Sequence, residues 1–297
     1  MKYNLVALMV LSLVLAGCSD TGDDGGSGSD MVALTINVDE NGWQGKTVNV
    51  TTRSGETIDG LKAAHDNGGG FGIYGVGLLG PNTQRLVLWN SSIGQWDAGE
   101  RIYWKRTADA DDTFLIYAYA PYKSDPYTFS PYTGTLTFPA DAADGKNTDL
   151  LYASATVKKS DGLAELNFKH AMAQISFGTI TNNTSDAVTL SSVSLTGNLY
   201  ASGTINTTNG TWSGQTYYDP TSKTFEFERT GLDLAISSGG IQALSIDPFI
   251  LIPGPEVTIT LTFSTGDTSS FTTTLEQGKN KTYNITVDKN FEVVITN

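Results

Sequence analysis

Cys18 is the only thiol among 297 residues, and its setting says what a thiol there is for. It follows Leu15-Ala16-Gly17, and ahead of those small residues come Lys2 and an apolar run from Leu5 to Leu15. A positive start, a short apolar run and small residues are the parts of a secretory signal peptide. The run is too short to cross a bilayer, which takes about 20 apolar residues. A lone thiol in an exported chain has no disulfide partner and needs another use. Other side chains that could do chemistry are sparse. His65 and His170 are the two histidines. No Ser or Cys elbow leading into a helix stands near His170, so a structural hydrogen bond suits it better than a general base. Two histidines and one committed thiol do not build a zinc site. Asp109, Asp111 and Asp112 form an acidic loop of oxygen ligands, but without the Gly and distal Glu of a calcium loop they read as a solvated turn. The glycines at 68–70, 72, 75 and 77 are followed by no Lys-Ser/Thr and no helix, so they are not a phosphate loop. Paired carboxylates for glycoside hydrolysis leave no sequence signature, and nothing points to them. No catalytic residue, metal or cofactor is expected, and the chain does not read as an enzyme.

Cys18 behind Leu-Ala-Gly resembles a bacterial lipoprotein box, whose thiol is acylated (palmitate is the expected chain) and becomes the first mature residue. An ordinary signal peptide with an incidental cysteine is the alternative. Residues 1–17 then form a lipoprotein signal peptide, and 18–31 a flexible acidic linker, Ser-Asp-Thr-Gly-Asp-Asp-Gly-Gly-Ser-Gly-Ser-Asp through Asp30. That composition makes a flexible tether. Its acidic run resembles the surface-export signal of some bacterial lipoproteins, although a plain solvated linker has the same composition. Each buried acyl methylene contributes about 0.8 kcal/mol, so several chains hold a protein on a membrane. No second long apolar run follows, which implies an outer-membrane lipoprotein anchored at the surface. The net charge of −13, from 31 acidic and 18 basic residues, argues against nucleic acid as a partner. It also argues against electrostatic docking on anionic lipid.

The elements behind the linker are strands. Val32, Leu34, Ile36 and Val38 alternate with polar or small residues, the period of a half-buried strand. A helix-like piece covers Leu61 to His65. Further strand texture covers 71–74, 85–89, 101–104, 114–120 and 150–157. Then come 175–180, 188–195, 224–228, 249–252, 257–263, 271–275, 283–287 and 291–296. Gly, Pro, Asn and Asp punctuate them, as at Asn209-Gly210 and Gly254-Pro255. Many short strands with regular turns predict an all-β chain of two β-sandwich domains, 32–170 and 171–297.

Several segments carry a resemblance. They are Phe71-Gly72-Ile73-Tyr74, Trp96, Tyr103-Trp104-Lys105, and Phe114-Leu115-Ile116-Tyr117-Ala118-Tyr119-Ala120-Pro121-Tyr122. Asp149-Leu150-Leu151-Tyr152-Ala153 and Leu166-Asn167-Phe168-Lys169-His170-Ala171-Met172-Ala173-Gln174-Ile175-Ser176-Phe177 follow. In this order and spacing they resemble the fimbrillin-like family of type V pilins, read from lipoprotein precursors. The resemblance implies two transthyretin-like β-sandwich domains in tandem and polymerisation into surface fimbriae that serve adhesion. It implies cleavage by a trypsin-like protease after an Arg behind the first strands, which releases the lipid and the first strand together. A neighbouring subunit then fills the groove with its own strand.

Arg53, in the polar stretch Thr51-Thr52-Arg53-Ser54-Gly55, is the candidate cleavage residue, and an ordinary surface Arg is the alternative. Val32, Leu34, Ile36 and Val38 are the candidate displaced strand. At about 1.5–3 kcal/mol for each buried aliphatic side chain, their loss amounts to roughly 6–12 kcal/mol. A domain's whole stability is about 5–15 kcal/mol. Phe291, Val293 and Ile295 are the candidate donor strand. The chain stops at Asn297, so a final strand of the second sandwich, in a tip or terminal subunit, fits the pattern equally. The expected partners are other pilin subunits, the lipid anchor, and a host or glycan ligand. Trp89, Trp96, Tyr103 and Trp104 also admit a second reading, a surface lipoprotein that binds carbohydrate on aromatic faces, against a sandwich-core role for the same rings.

Overall fold

The computed structural model describes residues 35–41, 61–62, 70–75, 78–79, 85–99, 103–104, 109–122, 128–130, 133–139, 145 and 147–296. The chain is all-β. Among the described residues no helix is long and apolar enough to cross a membrane.

A seven-stranded sheet runs in the order β1 (Thr35–Asn41), β11 (Leu163–His170), β10 (Leu151–Lys158), β7 (Thr113–Ala120), β2 (Phe71–Gly75), β4 (Arg85–Asn90) and β5 (Gln95–Asp97). Alternate residues of these strands point to one side. Ile36, Ile73, Val87, Ile116, Ala153, Leu166 and Phe168 form a core drawn from that single sheet, joined by Leu61. A sheet that buries a core against itself must curl. Right-handed twist supplies the curl, and it brings β5 back against β1. Phe71 locks the interior, with its ring edge-on to Phe168 at 5.3 Å and to Trp96 at 5.1 Å. The pair β3 (Leu78–Leu79) and β6 (Tyr103–Trp104) forms a separate two-stranded ribbon.

Two five-stranded sheets make the second sandwich. One orders β18 (Ile241–Ala243), β12 (Ala173–Asn182), β22 (Asn280–Val287) and β23 (Val293–Thr296), with β19 (Phe249–Leu251) also on β12. The other orders β16 (Phe225–Arg229), β13 (Val188–Gly197), β20 (Glu256–Phe263) and β21 (Thr268–Thr274), with β17 (Leu234–Ile236) also on β13. Phe177, Phe249, Tyr283 and Ile285 of the first sheet meet Leu190, Leu195, Phe227, Ile259 and Phe263 of the second. β20 reads Glu-Val-Thr-Ile-Thr-Leu-Thr-Phe, and each of its aliphatic or aromatic positions is buried. Period-two patterning sets which face goes in.

The remaining sheet runs across the expected domain boundary. Its order is β15 (Trp212–Tyr217), β14 (Tyr200–Asn206), β9 (Thr135–Pro139) and β8 (Thr128–Ser130). β14 pairs antiparallel with β9 from Ser202↔Pro139 to Asn206↔Thr135. Strands from either side of residue 170 therefore share one ladder. Between this sheet and the outer face of the curled sheet lies a third core of Tyr119, Leu136, Phe138, Tyr152, Ile205 and Met172.

Candidate assembly site

The edge formed by β1 and β11 is where the expected chemistry concentrates. β11 reads Leu-Ala-Glu-Leu-Asn-Phe-Lys-His; Ala164, Leu166, Phe168 and His170 are buried while Glu165, Asn167 and Lys169 are exposed. β1 lies parallel to it through seven register pairs, from Thr35↔Leu163 to Asn41↔Lys169. On its other side β11 folds back on β10 through the turn at Asp161 and Gly162, in register at Leu151↔His170 and Tyr152↔Lys169. β1 therefore lines β11 from Leu163 to Lys169 on the side away from β10. Ile36, 7 % exposed, stands beside Ala164, and half-buried Val38 stands beside Leu166. β1 thus fills a slot between β11 and the returning β5. Val32, Leu34, Cys18, Arg53 and His65 lie outside the described residues.

At the other terminus, β23 adds antiparallel to β22, from Val287↔Val293 to Asn284↔Thr296. Val293 and Ile295 are half-buried against the second sandwich core, while Val294 is 59 % exposed on the other face. Phe291, expected to open this strand, stands in the turn before it instead. Its φ of 59° is left-handed, and its N–H donates to Asp288 O at 3.0 Å. The Asp288 carboxylate holds the turn by accepting from the N–H groups of Asn290 and Glu292, each at 2.8 Å. The Phe291 ring still reaches the core, edge-on to Phe263 at 5.1 Å.

His170 is buried, with Nδ1 2.8 Å from Asp149 Oδ2, and this pair ends β11 where the chain passes to β12. Alongside it, Asn147 Nδ2 donates to Ile250 O at 2.8 Å and the Ala171 N–H donates to Leu150 O at 2.7 Å. The motif around His170 is therefore a joint in the framework. Asp109, Asp111 and Asp112 are exposed in a turn whose Asp109 N–H donates to Asp112 Oδ2 at 2.9 Å. Trp96 packs against the first core and lies 5.4 Å from Trp89 in an edge-on pair, and Lys62 Nζ sits 4.6 Å above the Trp89 ring. These two indoles stand opposite each other across the pairing of β4 with β5.

Sequence reasoning passed over β5 and β11 as strands. β5 spans only three residues, and its signal was the Trp96 already marked as aromatic. β11 carried a clean period of two that the family motif overshadowed.

The family model described as "Fimbrillin-like" matches residues 62–297. No curated protein matches the chain. Among solved structures, a fimbrial protein from Bacteroides vulgatus is 18% identical with a TM-score of 0.56, covering 88% of this chain and 97% of its own. A proposed cell adhesion protein from Parabacteroides distasonis is 10% identical with a TM-score of 0.54, covering 89% of this chain and 96% of its own. Another from Bacteroides uniformis is 16% identical with a TM-score of 0.50, covering 90% of this chain and 97% of its own. At such identities these likenesses speak for the fold, whereas the sequence model spans most of the strands. The chain belongs to the fimbrillin-like family.

Proposed function

We propose that this chain is a structural, accessory or tip subunit of a cell-surface fimbria that serves adhesion. It is exported as a lipoprotein, acylated at Cys18 and carried to the outer membrane. A trypsin-like protease cuts after Arg53, and the piece that leaves bears the lipid and β1 with Ile36 and Val38, together with Val32 and Leu34. The observation that carries this reading is the parallel pairing of β1 along β11. β1 precedes Arg53 in sequence, yet it supplies seven of the register pairs of β11. Its loss leaves an open slot flanked by a long unpaired ladder, the template that a strand from another chain completes. The segment with Val293 and Ile295, preceded by Phe291, is the candidate donor, and its position at a sheet edge makes detachment cheaper than loss of a central strand. In this reading the domains 32–170 and 171–297 act as one body, because β14 and β9 share a ladder.

The test is limited trypsin digestion of the purified lipoprotein, followed by electrophoresis in detergent without boiling. The expected result is a ladder of heat-labile oligomers whose subunits begin at Ser54. Identical behaviour of wild type and Arg53→Ala overturns strand exchange triggered at Arg53.

A further inference from the structure

A groove of about 430 Å³ opens beside Trp212, remote in sequence from β1 and Arg53. Three chain segments wall it: the turn between β14 and β15 with Asn209 and Thr211, the loop at Pro253, and Leu275 with Gln277. Its size falls within the range of small-ligand clefts, about 300–1,000 Å³. We infer that this groove binds a neutral glycan.

Three properties carry the inference. The first is the lining. Trp212 and Pro253 supply flat apolar surface, and Thr211, Asn209 and Gln277 supply a hydroxyl and two amides. A sugar ring presents C–H groups on its faces and hydroxyls around its rim. It therefore needs apolar faces beside groups that both donate and accept, which amides and hydroxyls do. The Trp212 Nε1–H is already committed to Ala171 O at 3.0 Å, so this indole offers ring surface rather than a donor.

The second is rigidity. Gln277 Nε2 donates to Gly210 O at 3.0 Å and ties one wall to the hairpin turn. The turn is closed by the Gly210 N–H on Asn206 O at 2.7 Å, with Asn209 Oδ1 accepting from the Thr211 N–H at 2.9 Å. Gly254 has a φ of 126°, which L side chains rarely adopt, and its N–H donates to Leu275 O at 2.8 Å. The walls are thus fixed before a ligand arrives, which limits the ordering cost of binding.

The third is charge. No residue lining the groove is ionisable; Glu276, between Leu275 and Gln277, is held in an ion pair with Lys281 at 2.6 Å, and the chain as a whole carries −13. A sialylated or sulfated glycan would meet repulsion with no Arg or Lys in the groove to offset it. The neutral class is what remains.

The test uses the mature chain and a panel of neutral gluco-, galacto-, manno- and N-acetylglucosamine oligosaccharides, with sialylated and sulfated oligosaccharides alongside. Binding is read by saturation-transfer NMR and by tryptophan fluorescence. At least one neutral oligosaccharide is expected to bind, and Gln277→Ala and Thr211→Val are each expected to weaken it about tenfold, near 1.4 kcal/mol. The unfolding midpoint reports whether either variant has lost its fold, and Trp89→Ala, far from the groove in sequence, should bind like wild type. Absence of binding across the panel overturns the inference. So does binding that Trp89→Ala abolishes while Gln277→Ala and Thr211→Val leave it intact, and so does tighter binding of sialylated or sulfated oligosaccharides. The groove uses neither β1 nor β23, so these outcomes leave the strand-exchange reading untouched.

Discussion

Replacing Gly210 by Ala should destabilise the protein by about 2–5 kcal/mol, and the sum can be worked from two separate sources. Gly210 has a φ of 77°, and holding an L residue in that left-handed region costs about 1–2 kcal/mol. A methyl group there would also lie 2.1 Å from Tyr152 Oη and 2.5 Å from Tyr152 Cζ. Tyr152 belongs to β10 and is packed into the third core, so it must shift against its neighbours. Overpacking of that kind costs about 1–3 kcal/mol. Gly214 in β15 is the control. Its φ is 61° and a methyl group there meets nothing within 4 Å, so Gly214→Ala should cost only the conformational part, about 1–2 kcal/mol. Urea unfolding of both variants then isolates the contact between the hairpin turn and β10. In thermal unfolding each 1 kcal/mol moves the midpoint of a chain this size by about 2–4 °C. Equal destabilisation in the two variants would refute docking of the turn over Tyr152.

Asn182 is fully buried, donates from Nδ2 to Asp186 O at 2.8 Å and Ile236 O at 3.0 Å, and accepts at Oδ1 from the Thr184 N–H at 2.9 Å. Asn182→Ala orphans these groups and should cost about 1–3 kcal/mol in urea unfolding; a change below about 0.5 kcal/mol contradicts the network. Lys281 Nζ lies 2.6 Å from Glu276 Oε1, and this pairing lowers the Glu276 carboxyl below its ordinary range. A depressed carboxyl stabilises the fold above its unfolded-state range and loses that contribution as pH falls through the folded value. The pair is half exposed on the Glu276 side, so solvent screening holds its worth to about 0.2–1 kcal/mol. The stability gap between wild type and Glu276→Gln should therefore close between pH 7 and pH 3, and a gap that stays constant with pH speaks against the ion pair.

The longer strands of the second sandwich were legible from their alternation, whereas β17 and β18, of three residues each, were not. The alternation in Val257 to Phe263 reports the buried face directly, and the strands observed there and at Val188 to Leu195 match the expected ones within a residue or two. β14 and β15 were not legible. Tyr-Ala-Ser-Gly-Thr-Ile-Asn and Trp-Ser-Gly-Gln-Thr-Tyr carry few aliphatics, because the sheet they join packs mainly through aromatic rings. Only the Asn209-Gly210 turn between them left a local signal. The groove was hidden for the same reason: Asn209, Pro253 and Gln277 are distant in sequence, and the ladder of β14 on β9 is part of the fold around them. Of the strand expected at 32–38, the described part from Thr35 is a strand with Ile36 buried and Val38 half-buried, while Val32 and Leu34 lie outside the described residues. The parallel partner of this strand, more than 120 residues later, has no local trace. Phe291 fits the alternation of the last strand, but the Asp288 turn holds it in a left-handed conformation that alternation alone does not reveal.

The ladder between β14 and β9 also limits how related genes can exchange parts. β13, at Val188–Gly197, belongs to the second sandwich, and β14, beginning at Tyr200, belongs to the sheet begun by β8 and β9. The chain therefore leaves the first half, enters the second, returns to the first, and leaves again. No single recombination point separates the two halves: a crossover at residue 170 parts β9 from β14, and one after residue 217 parts β13 from β20. Exchange of whole halves has to preserve the register of β14 on β9, a constraint that loops and exposed faces, among them the rim of the Trp212 groove, do not carry.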